Sequence, residues 1–219
     1  MSQSYQYILP VLEDSYEEIA LNQVVANNGN IILNGEYASA LTGTVSFDYS
    51  VLIGIYCDGN LTGVNFTVIG TQNGVVIQEV IAGVNTDVAE STSYFDSITL
   101  IKVTGGGGTV SVGTLGTTGY LPAILINTEK GLSDLGYALQ FIGAANSTAT
   151  VYQSLGNIAN SGQTYDQLIE SQELLPIAEL ADGTVTIPTI VQMKSICKNI
   201  LVNVTNNQSA LLTMRFLQL

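Results

Sequence analysis

The chain has 219 residues, with 5 Lys or Arg against 18 Asp or Glu, no His, no Trp and a formal net charge of −13. Hydrophobic residues make up 46% and charged residues 11%, which is enough apolar material for a sizeable core and too little charge for a disordered chain. The acidic excess repels phosphate and disfavours nucleic-acid binding, while the lack of His removes Ser-His-Asp triads, Cys-His pairs and His-ligated metals.

At roughly 150 residues per domain, the length fits one large or two small domains. Ser2 to Val11 is apolar and Tyr-rich, and Glu13, Asp14, Glu17 and Glu18 follow. This segment reads either as a short helix or as an arm of residues 1–20 lying on another subunit. No Lys or Arg precedes its apolar stretch, so a secretory signal is not expected. No apolar run reaches the 18 residues that a spanning helix needs, and no membrane partner is expected.

Beyond the arm, Thr, Val, Ile and Gly dominate and turn residues recur about every ten positions, the spacing of an all-β sandwich or barrel. Val51–Cys57 reads as a strand. The clearest hairpin is Val64–Gly70, turning through Thr71-Gln72-Asn73-Gly74 into Val75–Ile81, because Asn-Gly supplies the positive φ of a tight turn. Tyr94–Val103 reads as an edge aromatic followed by a strand. After the Gly105–Gly108 loop, Val110 and Val112 alternate with Thr109 and Ser111. The glycine run lacks the Lys-[Ser/Thr] and the helix of a phosphate cradle.

Thr114–Gly119 is small and polar, and the domain boundary is placed there, giving domains 21–116 and 117–219. In the second half, Tyr120–Ile126, Tyr137–Gly143 and Ala149–Leu155 read as strands. Thr164–Leu180 reads as a helical patch that Pro176 would interrupt. Cys197–Thr205 and Ser209–Leu219 close the chain as strands, the last apolar on both faces and so expected to be paired. The expected fold is all-β, with two β-sandwich domains of jelly-roll or immunoglobulin-like type and a short N-terminal arm.

Little in the chain points to catalysis or cofactors. Cys57 and Cys197 read as reduced, buried thiols, a bridge between the halves being the alternative. Asp48 with Asp58, or Glu170 with Glu173, could supply a glycosidase pair, but nothing marks them above other surface acids. Ser195-Ile196-Cys197-Lys198 matches S-x-x-K without the companion S-D-N and K-T-G motifs. The run Glu13, Asp14, Glu17 and Glu18 reads as a solvated face, with calcium at a subunit boundary the alternative. Sugar binding would rest on scattered Tyr alone. No enzyme activity, cofactor or metal is expected.

The stretch Gly63-Val64-Asn65-Phe66-Thr67-Val68-Ile69-Gly70-Thr71, with Asn73-Gly74, Glu79-Val80, Tyr94-Phe95-Asp96-Ser97-Ile98 and Val110-Ser111-Val112-Gly113, resembles a β-sandwich module of tailed-phage virion proteins. The stretches Ile200–Asn207 and Leu212–Leu217 resemble the closing strands of the same group. Together the similar pieces cover about half the chain. The resemblance implies a virion structural role, without distinguishing head, neck and tail, and brings no catalytic or cofactor residue.

The expectation drawn from it is an outer capsid decoration (cement) protein. Its partners would be the major capsid protein and further copies of itself, with a trimer on local three-fold positions suggested by symmetry. The alternative is a neck, tail or fibre component that binds a host receptor or glycan. The expected intersubunit contacts are Tyr5, Tyr7, Ile8, Leu9 and Val11 of the arm, and Leu212, Met214, Phe216, Leu217 and Leu219 of the C-terminal strand.

Overall fold

The computed structural model describes residues 4–9, 14–120, 124–125, 137–142, 148–159, 161–177, 184–186, 189–193, 199–205 and 212–218. The chain is all-β with antiparallel pairing. It divides into two compact units, Glu13–Gly116 and a second that joins Met1–Leu12 to Thr117–Leu219. Residues 1–12 of the expected arm thus group with the C-terminal half, and residues 13–20 with the other unit.

Strand β1 (Ser4–Leu9) belongs to the second unit. The Glu13–Gly116 unit holds β2 (Ala20–Val25), β3 (Asn30–Ile31), β4 (Val45–Asp58), β5 (Asn65–Gln72), β6 (Val75–Ala82), β7 (Val88–Glu90) and β8 (Phe95–Thr104), together with most of β9 (Gly108–Tyr120). Strand β8 takes β5 along one edge, and its other edge is shared between β4 and β3. Strand β4 pairs β8 across an irregularity between Ser46 and Val51, with Val51 opposite Phe95, and then pairs β7, Ile55 opposite Ala89. Strand β9 runs between β4 and β2.

Alternation builds the core of this unit. Phe66 and Val68 of β5, Ile53 and Ile55 of β4, Phe95, Ile98 and Ile101 of β8, and Val110 and Val112 of β9 are all buried in one cluster. Each such side chain contributes roughly 1.5–3 kcal/mol relative to exposure. The β5–β6 hairpin forms as its turn residues demand, with Gln72 opposite Val75 and φ of +50° at Asn73 and +75° at Gly74. Gly70 sits where the β5–β8 register slips by one residue, and a Cβ there would lie 2.0 Å from the Ser97 carbonyl oxygen. Only glycine lets the two backbones approach this closely.

Polar side chains complete the sheet edges. Gln23 accepts from the Ile32 N–H and donates to the Ile32 carbonyl, both at 2.9 Å, standing in for a ladder pair between β2 and the segment after β3. Glu79 of β6 accepts from the Thr92 N–H and hydroxyl and from the Ser93 N–H, at 2.8–2.9 Å, and so holds the loop before β8.

Strand β9 runs unbroken through Thr114–Gly119, where the domain boundary was placed and where the two units divide at Gly116 and Thr117. The Gly116 N–H donates to Asp14 at 2.7 Å, so the small polar stretch is held by a partner far away in sequence.

The second unit contains β10 (Ile124–Leu125), β11 (Tyr137–Ile142), β12 (Thr148–Ser154), helix α1 (Tyr165–Glu170), β13 (Leu175–Pro176), β14 (Thr184–Thr186), β15 (Thr189–Met193), β16 (Asn199–Thr205) and β17 (Leu212–Gln218). One sheet runs β1-β17-β11-β15. In another group, β16 pairs β12 on one edge, and pairs β10 and the end of β9 besides. Asn199 to Val202 of β16 are fully buried in succession, so both faces of that strand are covered. Helix α1 opens with a capping box between Thr164 and Gln167 and buries Tyr165 and Leu168. It ends at Ser171, well before Pro176, where the Glu173 and Leu174 N–H groups both fold back onto the Leu168 carbonyl.

Candidate functional site

The Glu13–Gly116 unit carries a cavity of about 390 Å³. Tyr56, Cys57 and Asp58 line it from the end of β4, Thr86, Asp87 and Val88 from the approach to β7, Asn22 from β2 and Ser111 from β9. The two loops that frame it are tied together. The Cys57 N–H donates to the Asp87 carbonyl at 3.0 Å and the Thr86 N–H to the Gly59 carbonyl at 2.9 Å. Asp87 turns its own carboxylate onto the Val88 N–H at 2.8 Å. Thr86 holds φ of +50°, an outlier for a β-branched residue, so this wall is over-determined by its surroundings.

Two groups of the lining, the Cys57 thiol and the Tyr56 hydroxyl, are held protonated. Burial pushes the Cys57 thiol up; a backbone hydrogen bond from Val84 opposes this and Asp87 adds to it. Cys57 is a free thiol whose nearest acceptor is the Ile55 carbonyl at 3.7 Å, the environment of a small buried hydrophobe. The Tyr56 hydroxyl is pushed up to about 12, by burial first and then by Asp14, Tyr16, Glu90 and Glu18. Its ring leans on that of Tyr16, centroids 4.4 Å apart, and Tyr16 stands largely exposed. A polar pocket beside an aromatic pair with one exposed ring can accept a polyhydroxylated ligand. It offers no activated nucleophile.

A second acidic and aromatic surface lies on the same unit. Tyr37 meets Phe47 edge-on at 5.7 Å. The Tyr37 hydroxyl is raised by burial, then by Glu18 and Glu36, a hydrogen bond to Glu18, and Asp48. Tyr49 is pushed up to about 12 by burial first, then by Tyr37, Glu18 and Asp48.

The acids singled out in the sequence are dispersed. Asp48 and Asp58 stand ten residues apart on β4, roughly 30 Å of extended chain, too far to flank one glycosidic bond. Glu170 ends α1 and Glu173 lies in the turn after it. In the acidic run, Asp14 accepts from Gly116 and Glu17 from the Asn22 N–H. Among the described residues no group of three or more acidic or cysteine side chains is arranged to hold a metal ion. Glu13, Ser195, Cys197 and Lys198 lie outside the described residues.

The expected interface residues fall together in the β1–β17 pair. Tyr5 is opposite Phe216, Tyr7 opposite Met214, Ile8 opposite Thr213, Leu9 opposite Leu212 and Ser4 opposite Leu217. Strand β11 extends two of these rows, Leu139 opposite Phe216 and Phe141 opposite Met214. The arm and the C-terminal strand, expected separately as intersubunit elements, are therefore register partners within one chain. Val11 and Leu219 lie outside the described residues.

Apolar residues that local pattern did not mark stand exposed, among them Val24 at 81%, Leu41 at 94% and Val76 at 74%. The cavity has no contiguous sequence signature, because its walls come from β2, β4, β7 and β9 and meet only through long-range pairing. No protein-family model, no curated protein and no solved structure matches the chain.

Proposed function

We propose that the chain is a structural component of a tailed-phage virion, an outer capsid decoration protein built from two β-sandwich domains. The observation that carries this reading is a set of exposed apolar side chains on a strongly acidic molecule. Val24, Ile32, Leu41, Val76 and Val80 are exposed on a chain of net charge −13. Exposed apolar side chains supply the material of contact patches for partners. A chain of this charge is repelled by packaged DNA, which favours the outside of the shell over a DNA-facing position. The protein would bridge neighbouring capsomers, each contact weak and the lattice of copies strong. The resemblance of the β5–β6 hairpin and the Tyr94–Ile98 stretch to virion modules supplies the phage context.

The experiment is to look for the protein in purified particles and count its copies. Tens to hundreds per particle support decoration. Six or twelve move it to the neck or tail, and absence from particles removes the virion reading.

A second reading, a receptor- or glycan-binding module of a fibre or tail, is favoured by the Tyr16–Tyr56 pair beside the polar cavity of Asn22, Asp58, Thr86, Asp87 and Ser111. It predicts that the isolated protein binds host polysaccharide and that Tyr16→Ala weakens this without unfolding the chain.

A further inference from the structure

We infer that β6 is a self-complementary docking edge, through which a second copy of this chain adds antiparallel about a two-fold axis at Gln78. Strand β6 closes the β8-β5-β6 side of its sheet and, among the described residues, pairs with β5 alone. The two-residue Asn73-Gly74 turn makes Gln72 and Val75 the closing hydrogen-bonded pair. Every second residue from Val75 onward therefore bonds inward to β5, and the Gly83 N–H, donating to the Val64 carbonyl at 2.8 Å, continues that series. The N–H and C=O groups of Val76, Gln78, Val80 and Ala82 are left aimed at the open edge. The same four residues are exposed.

Proteins guard such edges with charges, proline, bulges or very short strands. This one runs for eight residues without Pro or Lys, and its pairing with β5 has no register slip. Its single charge, Glu79, has its carboxylate committed to Thr92 and Ser93. On a chain of net −13, the uncharged edge is where a second, equally acidic copy can approach.

The sequence also selects the register. Placing Gln78 opposite its own copy sets Val76 opposite Val80 on both sides of the axis, with the amide pair between two apolar pairs. Each of these facing pairs exchanges two backbone hydrogen bonds. Shifting the axis to Glu79 would set two carboxylates face to face, and shifting it to Ile77 would set Val76 against Gln78. Both are worse cross-strand matches. The arrangement is two-fold and isologous, a departure from the three-fold arrangement suggested by virion symmetry alone. It does not depend on the virion reading.

The test uses the full chain. Sedimentation velocity over a hundredfold concentration range is expected to show a monomer–dimer equilibrium. Gln78→Lys, at an exposed position, places like charges across the axis. It is expected to weaken the dimer roughly tenfold while leaving the circular dichroism and melting temperature unchanged. Gln78→Cys is expected to give a disulfide dimer under oxidation, since directly opposed residues of a hydrogen-bonded pair lie about 5.5 Å apart at Cα, within disulfide range. Val76→Cys, whose copy lies several residues along the strand, is expected to stay at the wild-type background. A monomer at every concentration overturns the inference, as does a dimer indifferent to Gln78→Lys or crosslinking of Val76→Cys as strong as that of Gln78→Cys. Protection of the β6 amides only by an added foreign protein would assign the edge to that protein and overturn self-pairing.

Discussion

Asp96 fastens the tip of the β5–β6 hairpin to two other strands, and its removal is the sharpest test of how this unit is held. One carboxylate oxygen accepts from the Ser50 hydroxyl of β4, the other from the Asn73 N–H in the turn, at 2.5 Å. Both donors are buried, Ser50 at 2% exposure and Asn73 at 8%. A hydrogen bond to a charged group contributes roughly 1.5–3 kcal/mol, and truncation withdraws the acceptor from two buried donors at once. Asp96 itself is partly exposed, so water recovers some of this, and Asp96→Ala is expected to cost about 2–4 kcal/mol. Ser50→Ala loses one bond and is expected to cost about 1–2 kcal/mol. The double variant should fall short of the sum by at least ~1 kcal/mol, because the two residues share one interaction. Urea unfolding at constant m measures all three. If Asp96→Ala lies within ~0.5 kcal/mol of wild type, or the two changes simply add, Asp96 is not the fastening described.

Gly113→Ala is expected to cost about 3 kcal/mol or more, since its Cβ would lie 1.8 Å from the Ser15 carbonyl oxygen. Hydrogen exchange should quicken first at the Ser15 and Ile19 amides, which bond to Thr114 and Val112 of β9. Tyr49 and Tyr56 are pushed up to about 12, so the native state holds these protons more tightly than the unfolded chain does near 10. Their contribution is whole below pH 10 and is lost as pH rises from 10 towards 12. A tyrosinate absorbance titration should show a late-titrating fraction accompanied by loss of fold, and a single uniform transition near pH 10 would refute this. Thr164→Ala removes the acceptor of the Gln167 N–H at 3.3 Å and is expected to cost ~1 kcal/mol by thermal melting, with Thr164→Ser close to neutral.

The β5–β6 hairpin was legible because its signals are local. Asn73-Gly74 fits a two-residue turn, and Phe66 and Val68 alternate with Thr67 and Ile69 at the period of a strand. The stretch Thr114–Gly119, within which the two compact units divide at Gly116 and Thr117, hides its strand for the converse reason. Its small residues look like a linker, and what makes them strand is pairing with segments far away, such as Asp14 on Gly116. The helix start was written in Thr164 and Gln167, whereas its end is set by the turn at Ser171 and Gln172, with φ of +61° at Gln172, and not by Pro176. The cavity was illegible because Asn22, Tyr56, Asp87 and Ser111 are brought together only by the sheet.

The same sheet explains how so acidic a chain holds together with 5 cations for 18 acids. Several acids serve as acceptors for backbone N–H groups and need no cation: Asp14 for Gly116, Glu17 for Asn22, Glu79 for Thr92 and Ser93, Asp87 for Val88 and Asp96 for Asn73. The donors of Asn73, Thr92 and Ser93 lie in turns and loops and that of Val88 at a strand end, while Asn22 and Gly116 lie inside β2 and β9. These bonds leave the net charge of −13 undiminished, so two copies repel over the range of a Debye length. A neutral edge such as β6 gains from whatever screens that repulsion. Added salt should therefore tighten the β6 pair, the opposite of its effect on a contact made by opposite charges. A dimer that loosens as salt rises would mean that the copies meet through ion pairs, and the edge at Gln78 would not be the contact.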